Sequence, residues 1–168
     1  MKADENHLYI LFSDKSMEKV SVTNLEEVVA KTDKLNSLGA KKGEAVDIAV
    51  FCDILYVADN KGFVHRFNSG DLTPVAEDVF KSVYGHACHS VAASADGKFV
   101  ACGDVKGNTT IFDAESAAQV SYAAYNKNKI LALDFTPDSK RIMAVGFDAT
   151  SYVCECENTK VVIKIKSK

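Results

Sequence analysis

The chain contains no stretch approaching the ~20 consecutive apolar residues that a membrane helix requires. Met1-Lys2-Ala3-Asp4-Glu5-Asn6 likewise lacks the apolar core of a signal peptide. Runs of one charge are also missing. The net charge is −3, with acids and bases mixed along the chain, so there is no concentrated positive field for nucleic acid or an anionic membrane surface. There is no cysteine framework: Cys52, Cys88, Cys102, Cys154 and Cys156 are odd in number and irregularly spaced, which predicts reduced thiols and no structural disulfide. Neither G-x-G-x-x-G nor G-x-x-x-x-G-K-[ST] occurs, so nothing supports a nucleotide-phosphate loop. The nucleophile elbow G-x-S-x-G is absent too. Tryptophan does not occur, and proline appears only at Pro74 and Pro137. Together these absences predict a cytoplasmic or nuclear protein with no membrane attachment and no cofactor.

What remains is an ordinary globular composition, 47% hydrophobic and 26% charged over 168 residues, enough to bury a core without staples. That core is repetitive. Residues 91–101 (VAASADGKFVA) align with residues 133–143 (LDFTPDSKRIM) at an offset of 42, each copy reading as strand, tight turn, strand. Residues 55–62 (LYVADNKG) align with residues 100–107 (VACGDVKG) at an offset of 45, and Gly62 and Gly107 supply the positive φ of a hairpin turn. A weaker copy runs from Tyr9 to Ser16, with Ser16 aligned to the glycine. The alternation predicts strands at 7–12, 17–22 and 27–31; at 45–51, 54–58, 63–67 and 73–79; at 87–94, 98–103, 108–113 and 117–124; and at 129–135, 141–147, 150–156 and 160–166. Lys160, Lys164 and Lys166 fall among Val161, Val162, Ile163 and Ile165 and read as a terminal strand with a charged face. Leu25, Val28 and Val29 leave a helix over Asn24–Lys34 as an alternative.

Gly85-His86 followed by Phe112-Asp113, together with the turn Ser94-Ala95-Asp96-Gly97-Lys98, resembles a unit of the WD-repeat family. The shared period extends that resemblance over residues 7–166. The resemblance implies an all-β fold of antiparallel four-stranded blades, here a partial β-propeller of three full blades plus one incomplete. The units are 7–35, 45–80, 86–125 and 129–166 within a single segment, 1–168. Within the family the degenerate repeats bear a faint resemblance to the actin-interacting protein that assists cofilin. The family's tetrad joins a histidine, a serine or threonine, an aspartate beside the turn glycine, and a tryptophan. Here Lys106 precedes Gly107 and Lys61 precedes Gly62, and only His86 matches the tetrad histidine. Propellers protect their edges by closing a ring. The expectation is therefore a fragment of a longer propeller, copies that pair into a larger ring, or a partner that supplies the missing blades.

Residues that carry chemistry have plainer readings. His86-Ala87-Cys88-His89 and Cys154-Glu155-Cys156 hold zinc-binding residue types without C-x-x-C spacing, and strand cysteines usually act as small buried hydrophobes, so no metal is expected. His65 alternates with Val64 and is predicted to be an exposed strand residue. Asp47, Asp53, Asp59, Asp104 and Asp148 recur near turns and are expected to cap their own backbone. The resulting function is a non-enzymatic scaffold that binds a protein partner through blade rims, with Arg66, Tyr84, His86, Tyr122 and Tyr125 as exposed anchors. The alternative is a noncatalytic subunit of an enzyme complex, or an enzyme with its site in the propeller channel.

Overall fold

A computed structural model describes residues 1–33, 35, 38, 42–75, 80–82 and 84–166 of the chain. Among them, sixteen strands form four antiparallel sheets of four strands, each in simple up-and-down order. The first sheet comprises β1 (Lys2–Ala3), β2 (His7–Leu11), β3 (Met17–Ser21) and β4 (Val28–Thr32). The second comprises β5 (Ala45–Phe51), β6 (Ile54–Asp59), β7 (Phe63–Asn68) and β8 (Phe80–Lys81). The third holds β9 (Cys88–Ala93), β10 (Phe99–Asp104), β11 (Thr109–Asp113) and β12 (Gln119–Ala123). The fourth holds β13 (Ile130–Phe135), β14 (Arg141–Gly146), β15 (Thr150–Glu155) and β16 (Val161–Lys166). The inner strands β1, β5, β9 and β13 stand side by side, and the sheets do not close into a ring.

The first unit is fuller than its sequence suggests. Lys2 and Ala3 pair with Tyr9 and Leu8, which adds a strand too short to show any alternation. Within residues 24–33 the chain forms β4 rather than a helix, because Val28 and Ala30 pair with Val20 and Lys19; Lys34 lies outside the described residues. The predicted strand over 73–79 includes residues 76–79, which lie outside the described residues; the fourth strand of that sheet is Phe80–Lys81.

The hairpins between second and third strands explain the repeat. A residue with positive φ occupies the same place in each: Lys15 (67°), Gly62 (87°), Gly107 (91°) and Ala149 (60°). Gly62 and Gly107 keep the offset of 45, and Gly107 and Ala149 keep the offset of 42. Lys15 stands 47 residues before Gly62, so the alignment of Ser16 with the glycine was one residue out of register. In a strand that slip matters, because it exchanges the two faces. With the corrected register, Tyr9 and Leu11 point into the second sheet, and Leu8 and Ile10 point away from it.

Three apolar seams hold the sheets together. Tyr9 and Met17 pack on Ile48, Leu55, Val57 and Phe67 between the first and second sheets. Tyr56, Val64 and Phe80 meet Val91, Val100 and Phe112 between the second and third. Ala101 and Ile111 meet Leu133, Ile142 and Tyr152 between the third and fourth. Internal sheets are covered on both faces, so their second strands are buried almost continuously: five of the six residues of β10 and five of the six of β6 are buried. Cys88 and Cys102 lie in the middle seam on adjacent strands and are joined as a disulfide, which overturns the expectation of five free thiols. The two cysteines are 14 residues apart with no framework spacing, so only the pairing of β9 with β10 brings them together.

Candidate interaction surface

Asp104 ends β10 and organises one end of the third sheet. Its Oδ1 accepts the N–H groups of Lys106 (2.8 Å) and Asn108 (2.9 Å), which fixes the hairpin through Gly107. Its Oδ2 accepts from Asn108 Nδ2 (2.6 Å) and lies 3.1 Å from His86 Nδ1. Asn108 Oδ1 in turn accepts the hydroxyl of Tyr122 (2.7 Å). The result is a polar chain His86–Asp104–Asn108–Tyr122 anchored on a carboxylate that is 3% exposed. Over it stands Tyr84, 65% exposed, with its ring 5.7 Å from His86 and edge-on to Tyr122 at 5.8 Å. Burial raises the Tyr122 phenol above its ordinary value, and the neighbouring Tyr84 adds to that shift, so Tyr122 stays a neutral donor.

The structure thus gathers Tyr84, His86 and Tyr122 into one aromatic platform. Arg66 stands apart, toward the other end of β11. It lies half-buried with its guanidinium 5.5 Å from the Phe80 ring, and it donates to the Ala114 carbonyl (3.3 Å), tying the second sheet to the third. Tyr125 is anchored to the fourth sheet: its hydroxyl donates to the Thr159 carbonyl (3.0 Å) and its ring sits 5.3 Å from Tyr152. The hydroxyl of Thr159 also donates to the Tyr122 carbonyl (3.0 Å), linking the base of the platform to the same turn.

The second sheet repeats the Asp104 arrangement with a different histidine. Asp59 Oδ1 accepts the N–H groups of Lys61 (2.9 Å) and Phe63 (2.8 Å), and Oδ2 lies 2.9 Å from His65 Nε2. His65 is buried, contrary to the expectation of an exposed strand residue. Its alternation with Val64 marks two faces, but in an internal sheet both are covered. In both pairs the carboxylate stands three residues before the turn glycine, at 59 and 104, rather than directly before it. The recurrence of aspartate at the same offset as the glycines was the available signal.

The remaining candidates serve structure. Asp148 accepts from the Lys127 N–H (2.8 Å) and the Thr150 N–H (3.1 Å), which together hold its carboxyl below the usual carboxylate range. Asp47 departs from self-capping: its Oδ2 accepts the Val91 N–H of the neighbouring sheet (2.9 Å), and burial pushes its carboxyl up. Cys154 and Cys156 lie in the third seam, where burial pushes their thiols up to about 11 and about 12 and keeps them protonated and unreactive. Among the described residues no three His, Cys, Asp or Glu side chains gather as a metal cluster. No described helix is long and apolar enough to cross a membrane.

No protein-family model matches the chain. It is similar to an uncharacterized WD repeat-containing protein of Schizosaccharomyces pombe, with 27% identity over 106 residues, covering 62% of this chain and 17% of that protein. Four four-stranded antiparallel sheets and that likeness fit a WD-repeat-like propeller architecture. The chain spans less than a fifth of the length of that relative.

Proposed function

We propose that this chain is a non-enzymatic interaction scaffold that binds a protein partner through the Tyr84–His86–Tyr122 platform. One observation carries the reading: Tyr84 is largely exposed while His86, Asp104, Asn108 and Tyr122 beneath it are joined in a chain of hydrogen bonds. A rigid, half-wet aromatic surface binds by area and orientation and loses little conformational freedom in doing so. The histidine–aspartate pair beneath it meets an amide and a phenol rather than a serine or cysteine nucleophile, so its geometry serves positioning. Similarity to a WD-repeat protein supports the same general role. Self-association that completes a ring belongs to this reading as well.

The faint resemblance to the actin-interacting protein that assists cofilin makes actin filaments decorated with cofilin the first partner to test. Co-sedimentation is expected to bring the chain down with decorated filaments, and Tyr84→Ala is expected to release it, with a loss of about 2 kcal/mol in affinity if Tyr84 is a central anchor. Binding that survives Tyr84→Ala would place the interface elsewhere. If the chain stays in the supernatant with both bare and decorated filaments, actin is removed as the partner.

A further inference from the structure

Charges that are mixed along the chain are sorted in space by the fold, because successive turns of an up-and-down sheet fall at opposite ends. The β6–β7, β10–β11 and β14–β15 turns share one end with the segments that lead into β9 and β13. There the Ser82 N–H donates to the Gly62 carbonyl (2.9 Å), the Val105 N–H to the Ala87 carbonyl (3.0 Å) and the Phe147 N–H to the Lys129 carbonyl (2.9 Å). The intervening turns share the other end, where the Asp96 N–H donates to the Ser139 hydroxyl (3.1 Å).

The end that carries Tyr84, His86 and Tyr122 is basic. Lys61 and Lys106 stand directly before the turn glycines of adjacent sheets, Lys81 pairs with Phe63 at the start of β7, and Lys127 and Lys129 lie in the segment that leads into β13. Among the described residues none of these five lysines forms an ion pair. Acids at this end are largely engaged by the chain itself. Asp59 and Asp104 are buried against their histidines, Asp148 accepts the Lys127 N–H, and Glu44 accepts from Asn60 Nδ2 (3.4 Å). The turns at the other end hold Asp71, Asp113, Glu115, Asp138 and Glu157, with Lys98 and Lys140 among them. A net charge of −3 therefore conceals a molecule with one basic and one acidic end.

We infer that the segment docked on the platform is acidic: an extended stretch of a partner protein that sets an apolar side chain against Tyr84 and its carboxylates among Lys61, Lys106 and Lys127. The inference rests on the scaffold reading and adds the chemistry of the partner. Apolar contact is available beside the charge, since Tyr84 is 65% and Phe147 60% exposed, with Lys129 Nζ 5.2 Å from the centre of the Phe147 ring. Complementary charge steers such a segment to this end and orients it, while the acidic end repels it. Carboxylates fit better than a nucleic-acid backbone. The two arginines of the chain, whose planar forks suit phosphate, stand elsewhere: Arg66 is tied to Ala114 and Arg141 begins β14 at the acidic end. A long polyanion would also run past the basic end into a molecule of net negative charge.

Fluorescence anisotropy of the full chain with a labelled peptide of glutamates around one central phenylalanine tests the inference. The peptide is expected to bind at low salt and to weaken steeply as ionic strength rises. Lys61→Glu combined with Lys106→Glu is expected to weaken it about tenfold or more, whereas Lys98→Glu combined with Lys140→Glu, the same change in net charge at the other end, shifts it by less than about twofold. All four lysines are exposed, so circular dichroism should stay unchanged in both variants. The inference is overturned if the glutamate peptide binds no better than its glutamine counterpart, if the two double variants weaken it equally, or if a single-stranded oligonucleotide of equal charge binds more tightly. A glutamine peptide that binds as well as the glutamate one and is released by Tyr84→Ala overturns the acidic chemistry and leaves the platform standing. Glutamate-peptide binding that the Lys61 and Lys106 reversal abolishes but Tyr84→Ala leaves intact overturns the platform instead.

Discussion

A single carboxylate placed at the end of a second strand sets much of the local order in the two internal sheets. Asp59 is fully buried, caps two backbone N–H groups and meets His65. Removing it leaves three polar groups without their acceptor in a dry seam. Asp59→Ala is therefore expected to cost about 3 kcal/mol or more, read as a drop in the urea midpoint. Left-handed positions give the converse case. Ala149 holds φ at 60° where Gly107 holds it in the preceding sheet. Ala149→Gly is expected to stabilise the chain by about 1 kcal/mol, because the Cβ that strains this conformation is gone. Gly107→Ala goes the other way and costs more, since its Cβ would collide with the Asn126 carbonyl oxygen in the segment that joins the third sheet to the fourth, as well as holding a strained φ. Thermal melts of the two variants should move in opposite directions.

Elements are tied to one another at few polar points, and Asp47 is one of them, joining β5 to the Val91 N–H of β9. Burial raises the folded pKa of this carboxyl above its ordinary 3.8. A raised folded value means that its contribution to stability is fully present below the unfolded pKa and is lost as pH rises through the folded one. Asp47→Asn keeps an oxygen to accept from Val91 but has no charge to bury. The difference in melting temperature, variant minus wild type, should be smallest near pH 4 and widen toward neutral pH. A difference that is flat across that range would mean that Asp47 does not titrate in the seam. The paired turns at 94–98 and 136–140 show how far local chemistry reaches. Ser94 donates to Asp96 at 2.7 Å and Thr136 donates to Asp138 at 2.6 Å, in the same place of each repeat. The hydroxyl of Thr136 and the Lys140 N–H hold the Asp138 carboxyl below the usual range, as a capped turn requires.

At the scale of the molecule the main contacts between sheets, among the described residues, run between neighbours in the row, so stability is distributed like that of a repeat protein. The second and third sheets have a seam on each face; the first and fourth have one each. Hydrogen exchange is expected to be slowest in β6, β9 and β10 and fastest in β4 and β16, whose apolar residues are partly exposed.

The 168 residues by themselves determined where strands begin and end, because alternation, β-branched residues and turn chemistry are local properties. Strands from β2 to β16 lie within a residue or two of the pattern, apart from the one whose pattern enters residues 76–79. The spacing of Gly62, Gly107 and the Ser94 and Thr136 turns likewise marked the repeat before any contact was known. Only the tertiary structure decided which faces are covered. It buried His65 against Asp59, drew His86 to an aspartate 18 residues away, joined Cys88 to Cys102, and turned Arg66 from an exposed anchor into a tie between sheets. Alternation along a strand distinguishes two faces and says nothing about what packs on either, since that depends on the neighbouring sheet. A shift of one residue in the first repeat was enough to exchange them.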